Sequence, residues 1–136
     1  MNVGKAIADY LKARPTVIAK VADRVYWPES PAIMQDAPTA SSLHIRVNEL
    51  DGGHMPNLDA AFPVVQVSAF GKGKTDALAL ADVLALKDII LPLLSDARLV
   101  VDGVFIVSTL QSDPGPFSEN GWWHAPMRFD LKYQEA

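Results

Sequence analysis

The stretch from Phe62 to Leu91 constrains this chain most. An apolar strand, Phe62 to Phe70, passes through Gly71-Lys72-Gly73-Lys74-Thr75 into a helix that is apolar on nearly every side. At about 100° per residue, Leu80, Val83, Leu84, Ile90 and Leu91 make one broad stripe of large side chains. Ala77, Leu78, Ala81, Ala85 and Ile89 fall on the far side, where the small residues would let another backbone approach closely. A helix apolar all round is expected to be covered all round. In a chain of 136 residues, which has room for one domain, the second cover is expected from a neighbouring subunit, with the chain's own short helix near Val17 as the alternative. Pro92 is expected to end or kink the helix, because it lacks the N–H that the ladder needs.

The remaining segments supply a sheet. Val3, Ile7 and Leu11 recur every four residues with Lys5, Asp9 and Lys12 turned away, which predicts an amphipathic helix closed by Pro15. Thr16 is placed to cap a second short turn whose apolar side continues through Val17, Ile18 and Val21. Arg24-Val25-Tyr26-Trp27 has strand composition and stops at Pro28, and the proline-bearing segment to Ser41 reads as loop. Leu43, Ile45 and Val47 alternate with His44, Arg46 and Asn48, so the first set is expected to face a core and the second solvent or a partner. Asp51-Gly52-Gly53-His54 marks a turn, and the strand that restarts near Ala61 completes an antiparallel hairpin with a long tip. Asp102-Gly103 is either a tight turn between Leu99-Val100-Val101 and Val104 to Val107 or a bulge in one strand. A loop from Asp113 to Gly121 precedes Met127, Phe129, Leu131 and Tyr133, which alternate with Arg128, Asp130 and Lys132 in the clearest strand of the chain. This order predicts an α+β fold: a mainly antiparallel sheet, with one long helix and one or two N-terminal helices packed on it.

Composition narrows the chemistry. There is no cysteine, so no disulfide framework and no thiolate metal site. Twelve basic against sixteen acidic residues give a net charge of −4, which argues against a broad phosphate-binding surface. Apolar runs fall short of the roughly 20 residues that span a bilayer, and the first residues lack the apolar core of a secretory signal, so the chain reads as a soluble intracellular product without a membrane partner. His44, His54 and His124 lack the close spacing that presents two imidazoles to one metal.

Ser68 to Thr75 resembles a phosphate-binding loop, but Ser68 stands where the first glycine is required. A small nucleotide-binding enzyme using Gly71 to Thr75 is the alternative from another class. The plainer reading is a solvated turn in which Thr75 caps the helix and Asp76 sits favourably at its positive end. No catalytic, cofactor-binding or metal-binding residue is assigned. Trp122 and Trp123 must point to opposite faces of a strand entrance, so one of them needs cover from elsewhere.

In order and spacing the chain resembles the tail completion or tail terminator proteins of long-tailed bacteriophages, prophages and gene transfer agents. The likeness runs from Ile7-Ala8-Asp9-Tyr10-Leu11 through Arg24-Val25-Tyr26-Trp27-Pro28, Leu43 to Val47, Phe62 to Phe70 and the helix Thr75 to Leu91, to Met127-Arg128-Phe129-Asp130-Leu131-Lys132-Tyr133. The long tip at Asp51 to Asp59 and the Pro114 to Asn120 loop depart from the family pattern. The resemblance implies a virion protein without enzymatic activity, assembled in the host cytoplasm as a ring, commonly of six copies, on the end of the tail tube. The implied partners are other copies of the chain, the tail tube protein and a head-tail connector, with DNA passing through the ring unbound. A connector stopper or a tube component is the alternative within the same class. A ring needs two different patches per subunit. The expected subunit contact is Ala77, Leu78, Ala81, Ala85 and Ile89. The loops carrying Gly53, His54, Met55 and preceding Trp122 and Trp123 are expected to reach axial partners.

Overall fold

The computed structural model describes residues 3–27, 43–50, 63–73, 75–119 and 121–135. In chain order these form α1 (Val3–Lys12), α2 (Pro15–Val21), β1 (Val25–Tyr26), β2 (His44–Leu50), β3 (Val64–Gly71), α3 (Asp76–Leu94), β4 (Ala97–Val101), β5 (Val104–Ser112), β6 (Phe117–Glu119) and β7 (Trp122–Glu135). The strands make one sheet in the order β1-β2-β3-β7-β5-β4, with β6 pairing onto β7. Among the described pairs β1–β2 is parallel and the rest are antiparallel. The fold is therefore α+β, as the order of elements predicts. α3 lies across β3 and β7, while α1 touches β2 near one edge and β4 at the other, so the sheet curls around its helices.

Period-two alternation sends Ile45, Val47, Val65, Val67, Ala69, Ala125, Met127, Phe129 and Leu131 to the helix side, where all are buried. Val3, Ile7 and Leu11 of α1 and Val17 and Val21 of α2 close over them. Each such burial contributes about 1.5–3 kcal/mol. On α3 the buried seam is Ala79, Val83, Leu86, Ile90 and Leu94. Of the predicted stripe, Leu80, Leu84 and Leu91 are only half-buried flanks. On a helix apolar all round, the pattern carries no phase, and contact with β3 and β7 sets it instead. Pro92 does not end the helix, which continues to Leu94. Leu94 is fully buried, and its burial offsets much of the lost backbone bond.

Several local expectations change. Thr16 is not a cap: Pro15 opens α2 after Arg14, with no side-chain capping bond. Ile18 is exposed, while Val17 and Val21 are buried. Asp102-Gly103 is a tight turn, since Val101 pairs with Val104 and both turn residues have positive φ, 51° and 78°. β7 starts at Trp122, earlier than Met127, despite Pro126 within it. The Leu131 N–H points to the β3 side, so by alternation residue 126 faces the other side of β7. There β6 has stopped at the level of His124 and β5 reaches only Arg128, so the proline interrupts no ladder bond. The segment before Trp122 is not wholly a loop, because Phe117–Glu119 pairs back as β6.

One buried polar atom stands out on β5. The Ser108 hydroxyl is fully buried on the helix side, with no hydrogen-bond partner among the described residues. An unsatisfied buried hydroxyl costs about 1–3 kcal/mol. Ser108→Ala is therefore expected to raise Tm by a few degrees in a thermal melt. A lowered Tm would show that the hydroxyl is satisfied.

Candidate assembly surfaces

The helix side of the chain does not cover α3 completely. With its seam turned onto the sheet, α3 presents Ala77, Leu78 and Ala81 outward, with Leu78 57% exposed. Ala85 and Ile89 are half-buried beside them. α2 packs against α3 but leaves this side open. Asp82 and Asp88 are exposed on the same helix. Its lysine, Lys87, is mostly buried and held by Asp113 at 2.8 Å. The open side is thus apolar along its middle and acidic in its charges.

A second apolar surface lies on the helix-free face of β4 and β5, and periodicity alone did not single it out. Leu99, Val101, Val104 and Ile106 point to the helices, so their neighbours Val100, Phe105 and Val107 point away and are 64%, 53% and 43% exposed. The register places Val100 beside Phe105, and Val107 between Arg98 and Lys132. β4 is also the edge of the sheet. The signal was present in the sequence as an unbroken apolar run, Val104 to Val107, on a strand with one covered face.

The helix-free face of the other half is closed by rings. His44, Phe70, His124 and Phe117 stand side by side on β2, β3, β7 and β6. His44 and His124 both stack on Phe70, at 5.3 and 4.7 Å, and Phe117 tilts over His124 at 3.8 Å. Tyr26 and Trp122 meet His44 edge-on. His44 and Arg46 do lie on the face opposite the helices, but they are buried, at 2% and 0% exposure, where solvent or a partner was expected. The Arg46 guanidinium lies 4.2 Å from the Phe70 ring centre, and its Nε donates to His44 Nε2 at 2.7 Å. His44 therefore accepts through Nε2 and carries its proton on Nδ1.

The tryptophans split as the strand period requires. Trp122 is buried on the helix-free face under Lys72, and Trp123 is half-buried against the helix-side core. At the rim of this region Phe117 and Glu119 are exposed, with Glu119 Oε2 3.4 Å from His124 Nε2. Gly53, His54 and Met55 lie outside the described residues.

The glycine loop has a packing explanation. A Cβ at Gly71 would sit 2.8 Å from Val83 Cγ2, and one at Gly73 3.3 Å from the Ala79 nitrogen, so the glycines let the loop lie against α3. Thr75 caps that helix by accepting from the Leu78 N–H at 3.2 Å. Lys74 lies outside the described residues. Among the described residues no three His, Asp or Glu side chains are grouped to hold a metal, and no helix is long and apolar enough to cross a membrane.

No family model and no curated protein matches the chain. Among solved structures, a second chain similar to this one has a TM-score of 0.56 at 15% identity, covering 98% of this chain and 92% of that one. The fold is also shared, at a TM-score of 0.61 and 18% identity over 96% of this chain and 93% of the other, with a chain of the virion of a native gene transfer agent particle.

Proposed function

We propose that this chain is a structural virion protein that closes into a ring, commonly of six copies, on the end of a tail tube. There it ends tube polymerisation and joins the tail to the head. The observation that carries this reading is the fold shared along nearly the full length with a chain of a gene transfer agent virion. The open side of α3, where Ala77, Leu78 and Ala81 are exposed together, supports it. The sequence resemblance to tail terminators points the same way. In this role the chain performs no catalysis. Its partners are its own copies around the ring, the tube protein below and a connector protein above, and DNA passes through the channel without being bound.

The role is tested by removing the gene from a particle-producing host and measuring tails by electron microscopy. Tails of uncontrolled length that fail to join filled heads are expected, with normal length restored when the chain is supplied. Headed particles with tails of normal length would overturn the reading.

A further inference from the structure

We propose that in this ring the open side of α3 seats on the helix-free face of β4 and β5 of the next copy, so that each subunit offers a helix to one neighbour and a sheet to the other. The inference rests on the ring reading and names the two surfaces that make it.

The two surfaces point away from each other. α3 turns its seam onto β3 and β7, so Leu78 and Ala81 face away from the sheet, whereas Val100, Phe105 and Val107 occupy the sheet face that no described helix covers. Their chemistry matches. The helix surface carries Asp82 and Asp88 beyond its exposed Ala77, Leu78 and Ala81, and the sheet surface carries Arg98 and Lys132 on either side of Val107. A helix laid along β5 with Leu78 over Phe105 sets Asp82, four residues and about 6 Å further along the axis, near the level of Val107, about 7 Å further along the strand, where Arg98 and Lys132 flank it.

These charges also choose between symmetries. Because the two surfaces point away from each other, a two-fold contact can only join a surface to its own copy, which gathers acids with acids or cations with cations. A head-to-tail contact brings the acidic surface to the basic one. It takes about 800 Å² from each partner at the usual size of a specific interface. The chain's accessible surface is 7634 Å², so two such contacts per subunit fit on it with room to spare for axial partners.

The chain's lack of cysteine allows a direct test by disulfide trapping. Leu78→Cys and Phe105→Cys are made separately and together; both positions are exposed, and circular dichroism melts check that each variant is folded. Mild oxidation of the mixed single variants should give a dimer joining one of each, while each variant alone should give little. The double variant, assembled in particles, should give a ladder of covalent multimers that stops at the ring size. Asp82→Lys with Asp88→Lys should lower the mixed yield at least about tenfold, and Arg98→Glu with Lys132→Glu on the Phe105→Cys partner should restore it. Leu78→Cys dimerising with itself in preference would overturn the contact. So would particles that hold the double variant as a ring without covalent joining, a result that leaves the ring itself standing. Absence of the chain from tail ends would overturn the ring reading and this contact with it.

Discussion

Ala81→Arg is expected to leave the chain folded and to abolish the ring. Ala81 lies at the middle of the open side of α3, exposed in the single chain, so an arginine there extends into water and the helix is kept. In the proposed ring the same position is covered. A long cation is then forced against an apolar surface flanked by Arg98 and Lys132, and an uncompensated buried charge costs several kcal/mol. The loss of even about 2.7 kcal/mol per contact weakens association about a hundredfold. Light scattering should report the mass of one chain while the melting curve stays within a few degrees of the parent. A ring of unchanged mass would remove the helix surface from the interface.

Arg46→Ala is expected to act in the opposite way, damaging the fold directly. Arg46 is fully buried, lies over Phe70 and donates to His44. Truncation leaves His44 Nε2 without its donor, opens a cavity and removes the cation–π contact. Together these are expected to cost about 3–5 kcal/mol, a drop in Tm of roughly 10 °C or more. Arg46→Met keeps most of the volume and should recover part of the loss. A Tm for Arg46→Ala within about 2 °C of the parent would show that the buried cation contributes little.

The sequence predicted the α+β layout, the β2–β3 hairpin and the Thr75 cap, because each rests on a local signal: alternation, a glycine turn, a hydroxyl before a helix. What it placed wrongly depended on neighbours distant in the chain. His44 and Arg46 were assigned to the correct face of β2, yet their burial follows from Phe70, Trp122 and Tyr26, which only the strand register brings beside them. The seam of α3 had no phase to read. Pro92 looked like a breaker, but it sits where Leu94 still anchors the helix. For the candidate site, the open side of α3 was legible as an excess of apolar residues. Its counterpart on β4 and β5 was present only as the unbroken apolar run Val104 to Val107, which does not by itself show which face is bare.

The position of β7 has a consequence for how the chain is made. This strand lies between β3 and β5, yet it is the last of the described strands in sequence. During synthesis the β2–β3 hairpin and the β4–β5 hairpin emerge first, with no strand to pair them into one sheet. Until β7 leaves the ribosome, the edges of β3 and β5 that it pairs stay open, and the slow, long-range pairings of the sheet form late. Termination between Ser112 and Trp122 would therefore yield two unpaired hairpins prone to cluster, and the sheet surface proposed to meet a neighbouring copy is complete only once β7 has been made.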